Sequence, residues 1–222
     1  MGLNDMMDFE AARIKMVENQ IRTTDVTAHS VLEAFLAVPR ESFVPADKVR
    51  LAYIDEDLEI APGRYIMEPS PLAKLLQLAH IGKDDVVLEI GCGCGYTAAL
   101  LSLLSGSVVT VESDEELAAQ ATQTLSELGY DNVAVVTGPL EAGYAAEAPY
   151  DIIFVNGAVE DVPEALIGQL REGGKLIAVV GYGNAARAIV HVRSQDAYSK
   201  SDYFNAALKP LPGFRRAAEF VF

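Results

Sequence analysis

Cysteine is scarce in this sequence, and the two that occur, Cys92 and Cys94, are separated by a single glycine. No long-range disulfide framework can be built from them, so the fold has to rest on packing. Histidine is nearly as rare. His29, His80 and His191 stand far apart, without the paired spacing of a zinc site, and no metal is expected. A dithiol redox site commonly sets two residues between its cysteines, against one here, which leaves both as small side chains in a tight turn. Basic residues are also in short supply: 17 Lys and Arg against 32 Asp and Glu give a formal charge of −15. Such a surface repels phosphate backbones and anionic lipids, which makes nucleic acid and membranes poor partners. No apolar run approaches the length that spans a bilayer, and the opening residues MGLNDMMDFEAARIK lack a basic segment followed by an apolar core. The expectation is a soluble, cytoplasmic protein. With half of its 222 residues hydrophobic, the chain can bury a substantial core as a single domain over 1–222.

Against those absences stands one dense stretch, VVLEIGCGCGY, residues 86–96. Residues 85–90 form a short apolar run rich in β-branched side chains, as expected of a strand buried on both faces. Residues 96–104 suit a helix packed under a sheet. A glycine turn between strand and helix brings the backbone close to a nucleotide and aims helix N–H groups at it. Residues 107–113 read as a second strand, with Glu112 at its carboxyl end, where a carboxylate can accept both ribose hydroxyls of a nucleotide. The competing role for Glu112 lies in the acidic start of the helix over 114–129, for which Asp114 also stands ready. Strands over 132–137, 150–156 and 173–181 and a helix over 163–170 continue the alternation. That pattern predicts an α/β fold with a mostly parallel, doubly wound sheet and ligands at the carboxyl ends of its strands. Dinucleotide-binding turns read G-x-G-x-x-G, whereas this one reads E-x-G-x-G-x-G from Glu89 through Gly95.

That spacing resembles the S-adenosylmethionine turn of the class I methyltransferases. Residues 11–22 and 28–38 are helical by apolar spacing and are parted by Thr23-Thr24-Asp25. The fragments that follow are Arg40-x-x-Phe43-Val44-Pro45, Ala52-Tyr53-x-Asp55 and Gly63-x-x-Ile66-x-x-Pro69. Together with LEIGCGCGYTAALLS, VPEALIGQLREGGKLIAVVG and LKPLPGF, they resemble the protein-L-isoaspartate O-methyltransferases over nearly the whole chain. The resemblance implies a Rossmann-like methyltransferase core over 81–222, with a helical extension and substrate loop over 1–80. It also implies S-adenosyl-L-methionine as cofactor, held by Glu89, Gly91, Cys92, Gly93, Gly95, Glu112 and Gly138, and a protein or peptide carboxylate as acceptor.

Departures from the family concentrate in the substrate loop. Where the family typically reads Gly-Gln-Thr-Ile-Ser-x-Pro, this chain reads Gly63-Arg64-Tyr65-Ile66-Met67-Glu68-Pro69, so Tyr65 and Met67 replace both hydroxyl residues. Ser70, followed by Pro71, is expected to cap the next helix. The family's Gly-Asp-Gly beside adenine is Gly138-Pro139-Leu140 here, and Glu141 can stand in for the acid only if the loop shifts. Asp57-Leu58-Glu59 adds negative charge where an acceptor carboxylate would arrive. Arg64 reads either as a solvated surface residue or as a bidentate partner for that carboxylate. No catalytic side chain is assigned within Arg64, Tyr65, Ile66 and Met67. Methyl transfer to an ionised carboxylate needs no general base, so the missing hydroxyls are compatible with a slowed isoaspartyl methyltransferase. They are compatible too with the same fold serving another acceptor, and with a cofactor-binding protein that transfers nothing. The C-terminal RRAAEFVF alternates too weakly to be assigned as an internal or an edge strand.

Overall fold

The computed structural model describes residues 8–194 and 197–214. RRAAEFVF lies outside the described residues. The sheet begins where the first apolar run predicts: β3 (Val86–Ile90) leads into α4 (Tyr96–Leu104), β4 (Ser107–Glu112) into α5 (Glu115–Glu127), and β5 (Val133–Thr137) follows. β6 (Tyr150–Val159), the short α6 (Glu164–Ile167) and β7 (Leu170–Val180) complete the parallel part. The strand order is β5-β4-β3-β6-β7, with all four of these neighbouring pairs parallel. The winding therefore reverses between β3 and β6, and the crevice of such a sheet opens at the carboxyl end of β3, where the glycines begin.

Two antiparallel strands, β8 (Arg187–Ser194) and β9 (Ala197–Asn205), extend the sheet beyond β7. The helix anticipated over 163–170 is only four residues long, because the chain turns at Gly168 and Leu170 already pairs with Tyr150. Gln169 holds that turn by donating to the carbonyls of Ala142 (2.7 Å) and Ala165 (2.9 Å).

Side chains along β6 alternate between the two faces of the sheet, as a strand's period of two requires. Ile152, Phe154 and Ala158 join a core cluster with the N-terminal elements. Ile153, Val155 and Val159 point into a second cluster with Leu140, Leu166, Leu211 and Phe214. The N-terminal elements are α1 (Phe9–Met16), continuing as a π-helical turn over Val17–Ile21, then α2 (His29–Ala37) and α3 (Pro69–Ala79). The break between α1 and α2 falls at Asp25, whose φ of 65° is left-handed.

Between α2 and α3 lies a small hairpin, β1 (Leu58–Ala61) and β2 (Arg64–Ile66), turned through Pro62 and Gly63. One fully buried cation ties this region together. Arg40 donates from Nε to the carbonyl of Ala52 (2.7 Å) and from Nη2 to that of Met67 (2.9 Å). Its guanidinium also stacks 4.8 Å from the centroid of the Tyr96 ring. The three N-terminal fragments that carry the family resemblance thus meet at Arg40, on the first residue of α4.

Ser70 does not cap α3. The helix starts at Pro69, whose fixed φ suits the first helical position, and Ser70 lies inside it, its hydroxyl directed at Asp55 Oδ1 (3.1 Å) and the Gln20 carbonyl (3.2 Å). No helix among the described residues is long and apolar enough to cross a membrane.

Candidate active site

The turn after β3 is built from backbone bonds. The N–H groups of Gly91 and Cys92 both donate to the Val111 carbonyl of β4 (2.9 and 3.2 Å), and Gly95 N–H closes back onto the Cys92 carbonyl (3.0 Å). Gly91 and Gly93 have φ of 92° and 56°, left-handed values that glycine adopts without strain. What presses on them is protein. A Cβ on Gly91 would meet Leu211 Cδ2 at 2.8 Å, and one on Gly93 would meet Ile60 Cδ1 of the hairpin at 3.0 Å. Gly95 faces Ala121 and Leu125 of α5.

Glu89 is fully buried beneath this turn. It accepts from Thr110 Oγ1 (2.6 Å) and from Asn156 Nδ2 (3.0 Å), and the same Asn156 amide donates to the Gly91 carbonyl (3.1 Å). Glu89 therefore braces the turn from below. Asn156 is not among the site residues expected from the sequence; its position at the carboxyl end of the apolar run over 150–156, beside the switch point, is the signal that points to it. Burial, above all, pushes the Glu89 carboxyl up to about 8; the Glu112 charge adds to this, while the bonds from Thr110 and Asn156 pull the other way. A carboxyl whose folded-state pKa is raised stabilises the fold below its unfolded value near 4.5, and that stability is lost as pH rises through about 8. Glu89→Gln offers an amide to Thr110 and a carbonyl to Asn156. Chemical denaturation between pH 5 and 8 is therefore expected to show falling stability for the parent and a flatter profile for the variant. A variant severely destabilised across that whole range would mean that Glu89 works as an anion.

Glu112 ends β4 and is also fully buried. The helix-capping role belongs to Asp114, which accepts from the N–H groups of Glu116 and Leu117. Glu112 instead collects donors. Oε1 accepts the N–H groups of Ser113 (2.8 Å) and Asp114 (3.0 Å), and Oε2 accepts Gly93 N–H (2.7 Å). Both oxygens are also held by Arg64, whose Nη1 donates to Oε1 and Nη2 to Oε2 at 2.5 Å. Neither sequence reading of Arg64 holds: it is buried, not solvated, and its bidentate carboxylate is Glu112, not one from outside.

The remaining loop residues diverge in direction. Ile66 and Met67 are buried in the N-terminal core. Tyr65 is half-buried, with Lys209 Nζ 5.3 Å from its ring centroid. Around the hairpin Asp57 Oδ1 accepts Glu68 N–H (2.9 Å), and the Glu68 carboxyl is raised above its usual range first by burial, then by the charges of Asp55 and Asp57. Gly138 sits beside Val111, its N–H on the Glu112 carbonyl (2.9 Å), and the exposed Glu141 lies against Gly213. Cys92 is buried and Cys94 half-buried. Burial raises the Cys92 thiol and lifts that of Cys94 to about 11, so neither is primed as a nucleophile. Among the described residues no group of three or more His, Cys, Asp or Glu could hold a metal ion.

Cavity size does not locate this site. A cleft of about 710 Å³ lies elsewhere, between α2, α3 and Phe204 of β9, while one of about 460 Å³ borders Ile60 and Cys94. The left-handed turn and the Glu112 carboxylate fit a nucleoside whose ribose hydroxyls donate to Glu112, with one condition. The condition is room: both carboxylate oxygens already carry N–H donors, five in all, and Arg64 supplies one to each oxygen.

The family model described as protein-L-isoaspartate(D-aspartate) O-methyltransferase matches residues 11–208. A protein-L-isoaspartate O-methyltransferase of Koribacter versatilis is 42% identical over 191 residues, 86% of this chain and 86% of that one. One of Petrotoga mobilis is 38% identical over 209 residues, covering 93% and 98%. A solved protein-L-isoaspartate O-methyltransferase superposes with a TM-score of 0.80 at 27% identity, over 91% of this chain and 67% of that one. A Plasmodium falciparum structure titled a putative protein-L-isoaspartate O-methyltransferase, in complex with S-adenosyl-L-homocysteine, superposes with a TM-score of 0.77 at 19% identity, over 92% and 98%. At that identity it bears on the fold alone.

Proposed function

Because the chain belongs to the protein-L-isoaspartate(D-aspartate) O-methyltransferase family, we propose that it transfers a methyl group from S-adenosyl-L-methionine to the carboxylate of isoaspartyl residues in damaged proteins, acting in the cytoplasm. The observation that carries the proposal is Glu112, a buried carboxylate at the carboxyl end of β4, facing a left-handed glycine turn at the switch point of the sheet. In this reading residues 81–222 hold the donor and residues 1–80 cover it and meet the acceptor as parts of one domain, a reading that the core shared by α2 and α4 supports.

When bound, the cofactor supplies an electrophilic methyl group on a sulfonium. Glu112 would accept the ribose hydroxyls, and the backbone of the Gly91–Gly95 turn, which includes Cys92, would line the cofactor with Gly138 alongside. The β1–β2 hairpin excludes water from above. No side chain has to remove a proton, since an acceptor carboxylate is ionised at neutral pH. Orientation of donor and acceptor then supplies the acceleration, an effect that can reach roughly 7 to 11 kcal/mol. Met67, buried below the hairpin, offers no hydroxyl to the acceptor, an observation that also favours a second reading in which the same chemistry serves a different carboxylate.

Loading and transfer test the proposal together. S-adenosylhomocysteine at a hundred times its dissociation constant should stabilise the fold by about 2.7 kcal/mol, with no such effect from NADH, and labelled methyl groups should pass from S-adenosylmethionine to an isoaspartyl peptide. Stabilisation by NADH alone would overturn it.

A further inference from the structure

We propose that Arg64 is an internal competitor for the cofactor's ribose site, so that S-adenosylmethionine enters only by displacing the hairpin's guanidinium from Glu112; this rests on the proposed function. Three contacts hold the hairpin over the glycine turn. Ile60 reaches to the space in front of Gly93, Tyr65 lies under Lys209, and Arg64 forks onto both oxygens of Glu112. The fork is the decisive one. A planar guanidinium presents two parallel donors at the spacing of a carboxylate, and a ribose presents its two hydroxyls to the same pair of oxygens. Both partners of the ion pair are buried, Arg64 at 8% exposure and Glu112 at 0%, so the bond is formed in a low dielectric and does not dissolve into solvent as a surface pair would.

Arg64 is also the only cation among residues 55–68, in a segment that carries Asp55, Glu56, Asp57, Glu59 and Glu68. No neighbouring lysine or arginine of the hairpin can take its place on Glu112. With the latch closed both carboxylate oxygens are engaged, and the fraction of molecules with Arg64 withdrawn scales the apparent cofactor affinity directly. Latch strength thereby becomes a setting for cofactor occupancy, written in one side chain.

The test is calorimetric titration of the purified full chain with S-adenosylhomocysteine. Arg64→Ala should bind about tenfold or more tightly than the parent, because the tax of opening the latch is removed. Arg64→Lys keeps the charge but loses the fork, so it should fall between the two. In a Glu112→Gln background, Arg64→Ala should change affinity by less than about twofold, since the competition has lost its object. Equal or weaker binding by Arg64→Ala overturns the latch, as does an equal gain in the Glu112→Gln background. If Arg64→Ala fails to fold, Arg64→Lys carries the comparison, and affinity no tighter than the parent's overturns the proposal. Absence of binding in parent and variants alike overturns the cofactor reading itself.

Discussion

Glu112→Ala is expected to weaken S-adenosylhomocysteine binding by roughly a hundredfold or more. Two ribose hydroxyls lose a charged acceptor, each such bond being worth on the order of 1.5 to 3 kcal/mol, or about 3 kcal/mol at the least for the pair. The substitution also releases Arg64 and leaves the Gly93, Ser113 and Asp114 N–H groups without their shared acceptor. Part of the lost affinity is regained because nothing has to be displaced, which is why the lower end of the range is the expectation. Calorimetry measures it directly. Unchanged affinity would mean that the ribose is held elsewhere.

Arg40→Ala is expected to cost about 3 to 5 kcal/mol of folding stability, from two buried carbonyls left without a donor, at about 1 to 3 kcal/mol each, and from the cavity that the side chain leaves. Arg40 is fully buried, and its removal orphans the carbonyls of Ala52 and Met67 and strips the Tyr96 ring of its stacking partner. For a chain of this length the loss corresponds to a fall in Tm of about 6 to 20 °C. Lysine should rescue poorly, because a point charge on a flexible stem cannot bond both carbonyls from a planar fork. Thermal denaturation followed by circular dichroism reads the effect. A variant within 1 °C of the parent would show that the three N-terminal fragments are held together by packing alone.

The parts of this molecule that were legible in the sequence are those whose signal is local. β3, β4 and β6 announce themselves as apolar runs, and the turn from Glu89 to Gly95 carries its glycines in consecutive alternation. The place of Glu112 at the end of a strand was legible because it follows from the apolar run before it. The rest depends on partners far away in the chain. Arg64 meets Glu112 across 48 positions, so nothing near it distinguished a buried fork from a solvated side chain. Gly91 looks like a residue spared for a ligand until Leu211 is found against it. Ser70 carried a cap signature, and Pro69 moved the helix start ahead of it. The β8–β9 pair was not anticipated because β9 is exposed along nearly its whole length and reads as polar sequence, its strand character coming from the ladder with β8.

Discrimination between two peptides tests the central claim most directly. One preparation of the protein, supplied with labelled S-adenosylmethionine, is offered an isoaspartyl peptide and its aspartyl twin of the same sequence. The account predicts alkali-labile methyl ester on the isoaspartyl peptide and none above background on the aspartyl one. Cofactor binding with no transfer to either peptide, or equal transfer to both, would contradict it.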